Sequence, residues 1–302
     1  RCRYGVMCNE QGFVTDDGVV ARLGSETFLC HTTTGGADRI HGWMEEWLQT
    51  EWWDWKVWTL NLTEQFAQIA VAGPKARVLL ERLGGMDVSR EAQPFMRWAE
   101  GRLSGIAARV FRISFSGELS FEIAVAASDG PALWERLMAE GADLGVTPYG
   151  TEAMHVLRAE KGYIIVGQDT DGTVTPNDAG LDWAVGKKKT DFVGIRGLTR
   201  PDLVAPGRKQ LVGLKTKDPK TVLEEGAQIV EHSEQAIPMK MIGHVTSSYW
   251  SENCGRSIAL ALVAGGNDRM GQTLYVPMPD RTIEVEVTGM VFFDEKGERL
   301  NG

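Results

Sequence analysis

Two carboxylates have the type and setting to move or hold a proton. The segment GFVTDDGVV places Asp16 and Asp17 side by side among apolar residues. Side chains alternate along a strand, so a strand running through the pair sends the two in opposite directions. One can then serve the turn, as Asp beside Gly commonly does, while the other faces a pocket. Partial burial raises the pKa of such a group toward the range where proton transfer is efficient. Asp17 is the candidate for that chemical role. The second carboxylate, Glu122, lies in SGELSFEIAVA, where Leu119, Phe121, Ile123 and Val125 share one face. Glu122 falls on the other face with Ser120 and Ala124. Burying it without a partner is expensive, so it meets either water or a hydrogen-bond donor. On the residues alone, a solvated outer face is the stronger reading.

Other chemistry-bearing residues weigh less. Tyr163 and Trp183 lie in the dense stretch HVLRAEKGYIIVGQDTDGTVTPNDAGLDWAVGKKK, where composition favours core positions. Lys187, Lys188 and Lys189 form the one compact basic run and read as a solvated loop rather than a polyanion site. The four cysteines, Cys2, Cys8, Cys30 and Cys254, show no CxxC spacing. They fit a reducing compartment and neither a metal site nor a disulfide framework. Gly35 and Gly36 precede a helical pattern and could cradle a phosphate, but without a full glycine-rich fingerprint a plain turn is favoured.

The elements that must position these groups follow from the pattern. The chain has 302 residues, 43% of them apolar, enough for one large or two medium domains. A formal charge of −9 argues against broad nucleic-acid contact. No apolar run approaches the roughly 20 residues of a membrane span, and no leader pattern is present. A soluble, cytoplasmic protein is expected. The first residue is Arg1 and the strand pattern begins at once, as in a piece of a longer polypeptide. Residues 4–33 alternate β-rich runs with turns, and Ile40, Trp43, Met44, Trp47 and Leu48 then recur at helical spacing. Six tryptophans fall between Trp43 and Trp58; those beyond the helix suggest a contact with another domain or subunit. FAQIAVAGPKARVLLERLGG reads strand, turn, helix and stop, with Pro74 in the first helical turn and Gly84 at the end. A hairpin through Ser116–Gly117 and a helix from Pro131 to Gly141 follow. LTRPDLVAPGRKQ marks a boundary, which divides the chain into residues 1–200 and 201–302. The second part is strand-rich and reads as a small β-barrel or sandwich.

The ordered series GFVTDD, AVAGP, FSGELSFEIAV, LRAEKG, GQDTDGTVTP, LDWAVGK, DFVG and GHVTSS resembles the folate-binding aminomethyltransferase family. That family holds the T-protein of glycine cleavage and the related domains of sarcosine- and dimethylglycine-oxidising enzymes. The opening, RCRYGVMCNEQGFVTDDGVVARLG, is similar to the C-terminal part of heterotetrameric sarcosine oxidase α subunits. The resemblance implies an α+β aminomethyltransferase-like fold with antiparallel sheets and packed helices, then a small C-terminal β-barrel. It implies tetrahydrofolate as acceptor of a one-carbon unit from oxidised sarcosine, giving 5,10-methylenetetrahydrofolate and glycine. Other oxidase subunits are the implied partners, with flavin and NAD confined to other parts of the complex. By the same resemblance, Asp17 lies beside the reactive folate nitrogens and Glu122 binds the amino-pyrimidine edge of the pterin, which reverses the solvated reading. Tyr163 and Trp183 match pocket-wall positions.

Several features depart from the family pattern. Its usual Ala-Arg-Asp reads Ala153-Met154-His155 here, so an arginine that holds folate in many members is absent. The family's N-terminal segment before the first strand is also missing, in line with truncation. The tRNA-modifying branch carries a cysteine where this chain has Tyr163. Two other readings stand beside the first: a free-standing aminomethyltransferase and a non-catalytic structural arm of an oxidase complex.

Overall fold

The computed structural model describes residues 1–234 and 236–302. Two units emerge, each built from separate stretches of chain. The first comprises Arg1–Gly5, Asp16–Tyr149 and Glu298–Gly302, and the second Val6–Thr15 and Gly150–Gly297.

The first strands are β1 (Cys2–Cys8), β2 (Val14–Arg22) and β3 (Phe28–Cys30), ordered β1-β2-β3 in one sheet. Helix α1 (Ala37–Thr50) follows, then β4 (Phe66–Ala72), α2 (Ala76–Leu83), β5 (Arg97–Leu103), β6 (Ile106–Arg112), β7 (Ser120–Ala126) and α3 (Gly130–Glu140). The later strands form a four-stranded antiparallel sheet in the order β4-β7-β6-β5. One face of it takes the helices: Ala76, Leu79, Leu80 and Leu83 of α2 and Leu133 and Leu137 of α3 pack on Val110, Phe121, Ile123 and Val125. The spacing within α2 is the i, i+3, i+4, i+7 stripe of a half-buried helix. Pro74 precedes the Lys75 cap, so α2 begins later than its proline suggests. Gly84 ends the helix as expected.

The opposite face of the four-stranded sheet is also covered. Phe111, Ile113 and Ala124 pack against Cys2 of β1 and Ala21 of β2, with Val19, Leu29, Phe66 and Trp98 around them. Two hydrogen bonds tie the layers: Cys2 N–H to the Met96 carbonyl at 2.8 Å and Trp98 Nε1 to the Arg22 carbonyl at 2.9 Å. The first unit is thus three layers, helices on a sheet on a smaller sheet. The tryptophan-rich stretch continues from α1: Trp47, Trp52 and Trp55 stack in series, with centroids 5.1 and 4.8 Å apart. Trp53 and Trp58 stay exposed.

The second unit holds α4 (Thr151–Glu160) and six strands: β8 (Lys209–Thr216), β9 (Gln228–Val230), β10 (Met241–Ser251), β11 (Arg256–Ala264), β12 (Thr273–Pro277) and β13 (Thr282–Thr288). They close as an antiparallel barrel in the order β10-β11-β8-β13-β12-β9, the expected C-terminal barrel. Val212, Leu214, Val245, Ala261, Val263, Val285 and Val287 belong to its apolar core. Arg158, fully buried on α4, pairs with the fully buried Asp169. A register shift between Val245 and Ser247 of β10 lets two successive hydroxyls, Thr246 and Ser247, both donate to Asp169 Oδ1. Arg158 also donates to Ser247 Oγ at 2.7 Å. No helix among the described residues is long and apolar enough to cross a membrane.

Removing one member of a buried pair leaves an uncompensated charge, which costs about 3–5 kcal/mol. Asp169→Asn keeps the shape but not the charge, so the unfolding free energy extracted from denaturant titration is expected to fall by an amount in that range, with a lower midpoint.

Candidate functional site

The two carboxylates singled out in the sequence lie on the surfaces that the two sheets of the first unit turn toward each other. On β2, Asp17 shares a face with Val19 and Ala21, both packed into the inter-sheet cluster. On β7, Glu122 shares a face with Ala124 of the same cluster. Its cross-strand neighbours are Ala70 on β4 and Phe111 on β6. Glu122 therefore does not stand on an open outer face, because the small sheet covers that side.

Asp16 and Asp17 divide their work as alternation requires. Asp16 is fully buried. Its Oδ1 accepts from the backbone N–H of Asp17 at 2.8 Å and of Thr33 at 3.0 Å. Its Oδ2 accepts from Thr33 Oγ1 at 3.0 Å and from the Arg39 guanidinium at 3.3 Å. These bonds place a carboxylate of the chain itself at the start of α1, where the Gly35–Gly36 pair raised the option of a phosphate. A Cβ on Gly36 would lie 1.8 Å from Asp16 Oδ2, so only glycine permits the approach. Gly18 is just as constrained, since a Cβ there would meet the His31 carbonyl oxygen at 1.9 Å.

Asp17 faces the other way, half-buried. Tyr4 of β1 donates its hydroxyl to Asp17 Oδ2 at 2.6 Å. Burial pushes the Asp17 carboxyl above its ordinary range; the Tyr4 bond works against this rise and the neighbouring Asp16 charge adds to it. Burial, then the Asp17 charge and bond, push the Tyr4 phenol far upward, so it remains a donor at any physiological pH. Glu122 accepts a short hydrogen bond from the Gln68 amide on β4. Burial raises its carboxyl as well, with Gln68 opposing the rise. Its charge is felt by Cys2, whose thiol is pushed up to about 11, chiefly by burial, and by Tyr149. Since Cys2 and Tyr4 are two residues apart on β1 and so share a face, that strand links the surroundings of Glu122 to those of Asp17.

Tyr163 and Trp183 belong to the second unit. Tyr163 is half-buried, its carbonyl accepting from Arg158 at 3.1 Å, and burial raises its phenol. Trp183 sits in a single helical turn, Asp182–Ala184, with 64% of its surface exposed. Reasoning from sequence missed Tyr4 and Gln68 as partners of the carboxylates. The alternation of β1 hints at Tyr4, whose polar end turns inward beside Cys2; nothing local marks Gln68.

Comparison with known proteins gives a consistent set of similarities. A model of the GCVT N-terminal domain matches residues 1–189, and one of the glycine cleavage T-protein C-terminal barrel domain matches residues 209–294. Sarcosine oxidase subunit alpha of Corynebacterium sp. (strain U-96) is 50% identical over 306 residues, covering 99% of this chain and 31% of that protein. The same subunit of Rhizobium meliloti (strain 1021) is 39% identical, with 100% and 31% covered. An aminomethyltransferase of Thermotoga neapolitana is 30% identical, with 97% and 76% covered. In three dimensions, the glycine cleavage system aminomethyltransferase T of Bartonella henselae superposes with a TM-score of 0.82 at 25% identity, covering 98% of this chain and 76% of that one. The chain therefore spans 31% of the length of the sarcosine oxidase subunits it matches.

The raised Asp17 pKa has a defined consequence for stability. Between the ordinary carboxylate pKa and the raised folded value, the native state binds more protons than the unfolded one, so stability falls as pH rises. Asp17→Asn removes this cost and still offers Tyr4 an acceptor oxygen. The variant is expected to melt higher than the parent at pH 7, with the difference vanishing toward pH 3, as thermal scans across pH will show.

Proposed function

Because the chain belongs to the glycine cleavage T-protein (GCVT) family, we propose that it is the folate-dependent part of a sarcosine-oxidising enzyme. It passes the one-carbon unit of oxidised sarcosine to tetrahydrofolate, yielding 5,10-methylenetetrahydrofolate and glycine. The folate-binding part is assigned to residues 1–200 and the barrel to residues 201–302. The amine is oxidised outside residues 1–302, where flavin and NAD belong, and other subunits of that oxidase are the partners. The 50% and 39% identities to sarcosine oxidase α subunits support this assignment.

The reading is supported by the placement of Asp17 and Glu122 on the facing surfaces of the two sheets, each half-buried with its pKa raised. The donor set fits a pterin. A carboxylate only accepts, and adjacent ring and amino N–H groups only donate, so Glu122 is matched to an amino-pyrimidine edge. Tetrahydrofolate, when bound, supplies the nitrogens that take up the one-carbon unit. Asp17 Oδ1 takes the proton released there, while Oδ2 is held by Tyr4. A carboxyl raised toward neutrality by burial both accepts and returns a proton readily. The two sheets hold the reactants together and limit water, which supplies much of the remaining acceleration. Tyr163 and Trp183 are assigned to substrate binding on the strength of the motif match alone.

A second reading draws on the aminomethyltransferase relatives, covered over 76% of their length. In it the carbon arrives on a lipoyl-bound aminomethyl group. Supplying each donor in turn to the full-length protein separates the two, and only the sarcosine-derived carbon is expected to reach folate.

In the full-length protein, Asp17→Asn is expected to slow methylene transfer by about 10²- to 10⁴-fold with folate affinity retained. Transfer at the parental rate removes Asp17 from the chemistry. Glu122→Gln turns a charge-assisted acceptor into a neutral one and is expected to weaken folate binding roughly 10- to 100-fold in calorimetry. Unchanged affinity returns Glu122 to a structural role.

A further inference from the structure

His31 directly follows β3 and alternates with Leu29, whose side chain packs into the inter-sheet cluster. Its ring therefore turns to the same interior as Asp17 and Glu122. The ring meets Phe111 edge-on, centroids 4.9 Å apart at 88°, and Phe111 is the cross-strand neighbour of Glu122. His31 Nδ1 lies 3.0 Å from the carbonyl oxygen of Val19, two residues from Asp17. A carbonyl only accepts, so Nδ1 carries the proton and Nε2 the lone pair. Among the described residues Nε2 has no hydrogen-bond partner. Burial lowers the pKa of the ring, opposed by the Val19 bond, so the imidazole is neutral at pH 7. The Gly18–His31 backbone approach fixes the ring's starting point against β2.

The proposed transfer needs more than one proton carrier. Moving a methylene unit from an imine nitrogen to two acceptor N–H groups forms two C–N bonds and breaks both bonds of C=N. Two protons pass from the acceptor nitrogens to the departing amine, and no electrons are gained or lost. We propose that His31 Nε2 is the second acid–base group of this site, taking up one of these protons and returning it to the departing amine, while Asp17 handles the other. The assignment rests on the folate-transfer reading. Among the described residues, the titratable groups turned to this interior include Cys2 and Tyr4 on β1, Asp17 on β2 and Glu122 on β7, and Tyr149 feels the Glu122 charge. Arg109, on the Phe111 face of β6, is held by Glu100. Among the described residues, Tyr4 bonds to Asp17, Glu122 to Gln68 and Arg109 to Glu100, while His31 Nδ1 turns to Val19.

The test uses the full-length protein and two readouts. Diethyl pyrocarbonate, which acylates neutral imidazole, is expected to label His31, as mapped by mass spectrometry, and tetrahydrofolate is expected to protect it. His31→Asn retains a donor for Val19 but has no base at the Nε2 position. It is expected to bind folate within about twofold of the parent and to transfer the one-carbon unit on the order of 10²-fold more slowly. The acid limb of the parental rate profile, set by His31 protonation, is expected to disappear. His31→Gln serves the same comparison if the asparagine variant misfolds. Folate binding by the parent with parental transfer in the variant, or with no protection of His31, overturns this assignment alone. Failure of the parent to bind folate overturns the transfer reading and this assignment with it.

Discussion

A fully buried carboxylate must have its lone pairs met, and at Asp16 the donors come from β2 itself, from Thr33 and from Arg39 on α1. This knot fastens the middle of β2 to the start of the first helix. Because neighbouring side chains on a strand diverge, anchoring Asp16 on one side commits Asp17 to the other, into the space between the sheets. The glycines at 18 and 36 exist to let backbone and carboxylate come this close. The direction of the chemical group is thus a consequence of how its neighbour is bonded.

The space that receives Asp17 is costly for charge. Burial raises Asp17, Glu122, Tyr4 and Cys2 and lowers His31, shifting each of these groups toward its neutral form. The same desolvation that shifts Asp17 and His31 toward their neutral forms works against the fold that holds them. Compensation comes from apolar packing on both faces of the four-stranded sheet, from α2 and α3 on one side and from the small sheet on the other. In the second unit the buried charges are treated differently. Arg158 and Asp169 pair directly, Thr246 and Ser247 donate to Asp169, and Arg158 donates to Ser247 Oγ. Glu160 is likewise held by Ser251 and Asn253. Those residues of the LRAEKG motif serve the framework.

Much of this was legible in the chain. Alternation in residues 119–126 separated the core-facing Phe121, Ile123 and Val125 from Glu122, and the helical period of residues 40–48 located α1. The turn-bounded apolar runs after residue 209 announced the barrel strands. These features repeat within a few residues, so each element carries its own signal. The Asp-Asp pair announced a divided role for the same reason, and ordered motifs announced the family.

The partners of the carboxylates were not legible. Tyr4 reaches Asp17 across 13 positions and Gln68 reaches Glu122 across 54, both through space. On its own pattern Glu122 read as solvated, because alternation tells which residues share a face but not whether another sheet will cover it. His31 carries no motif of its own; the fold put its Nδ1 3.0 Å from the Val19 carbonyl oxygen. Local spacing determined which side chains could do chemistry; only the packing of one sheet on another decided which were dried, paired and aimed, since desolvation and hydrogen bonding depend on neighbours in space.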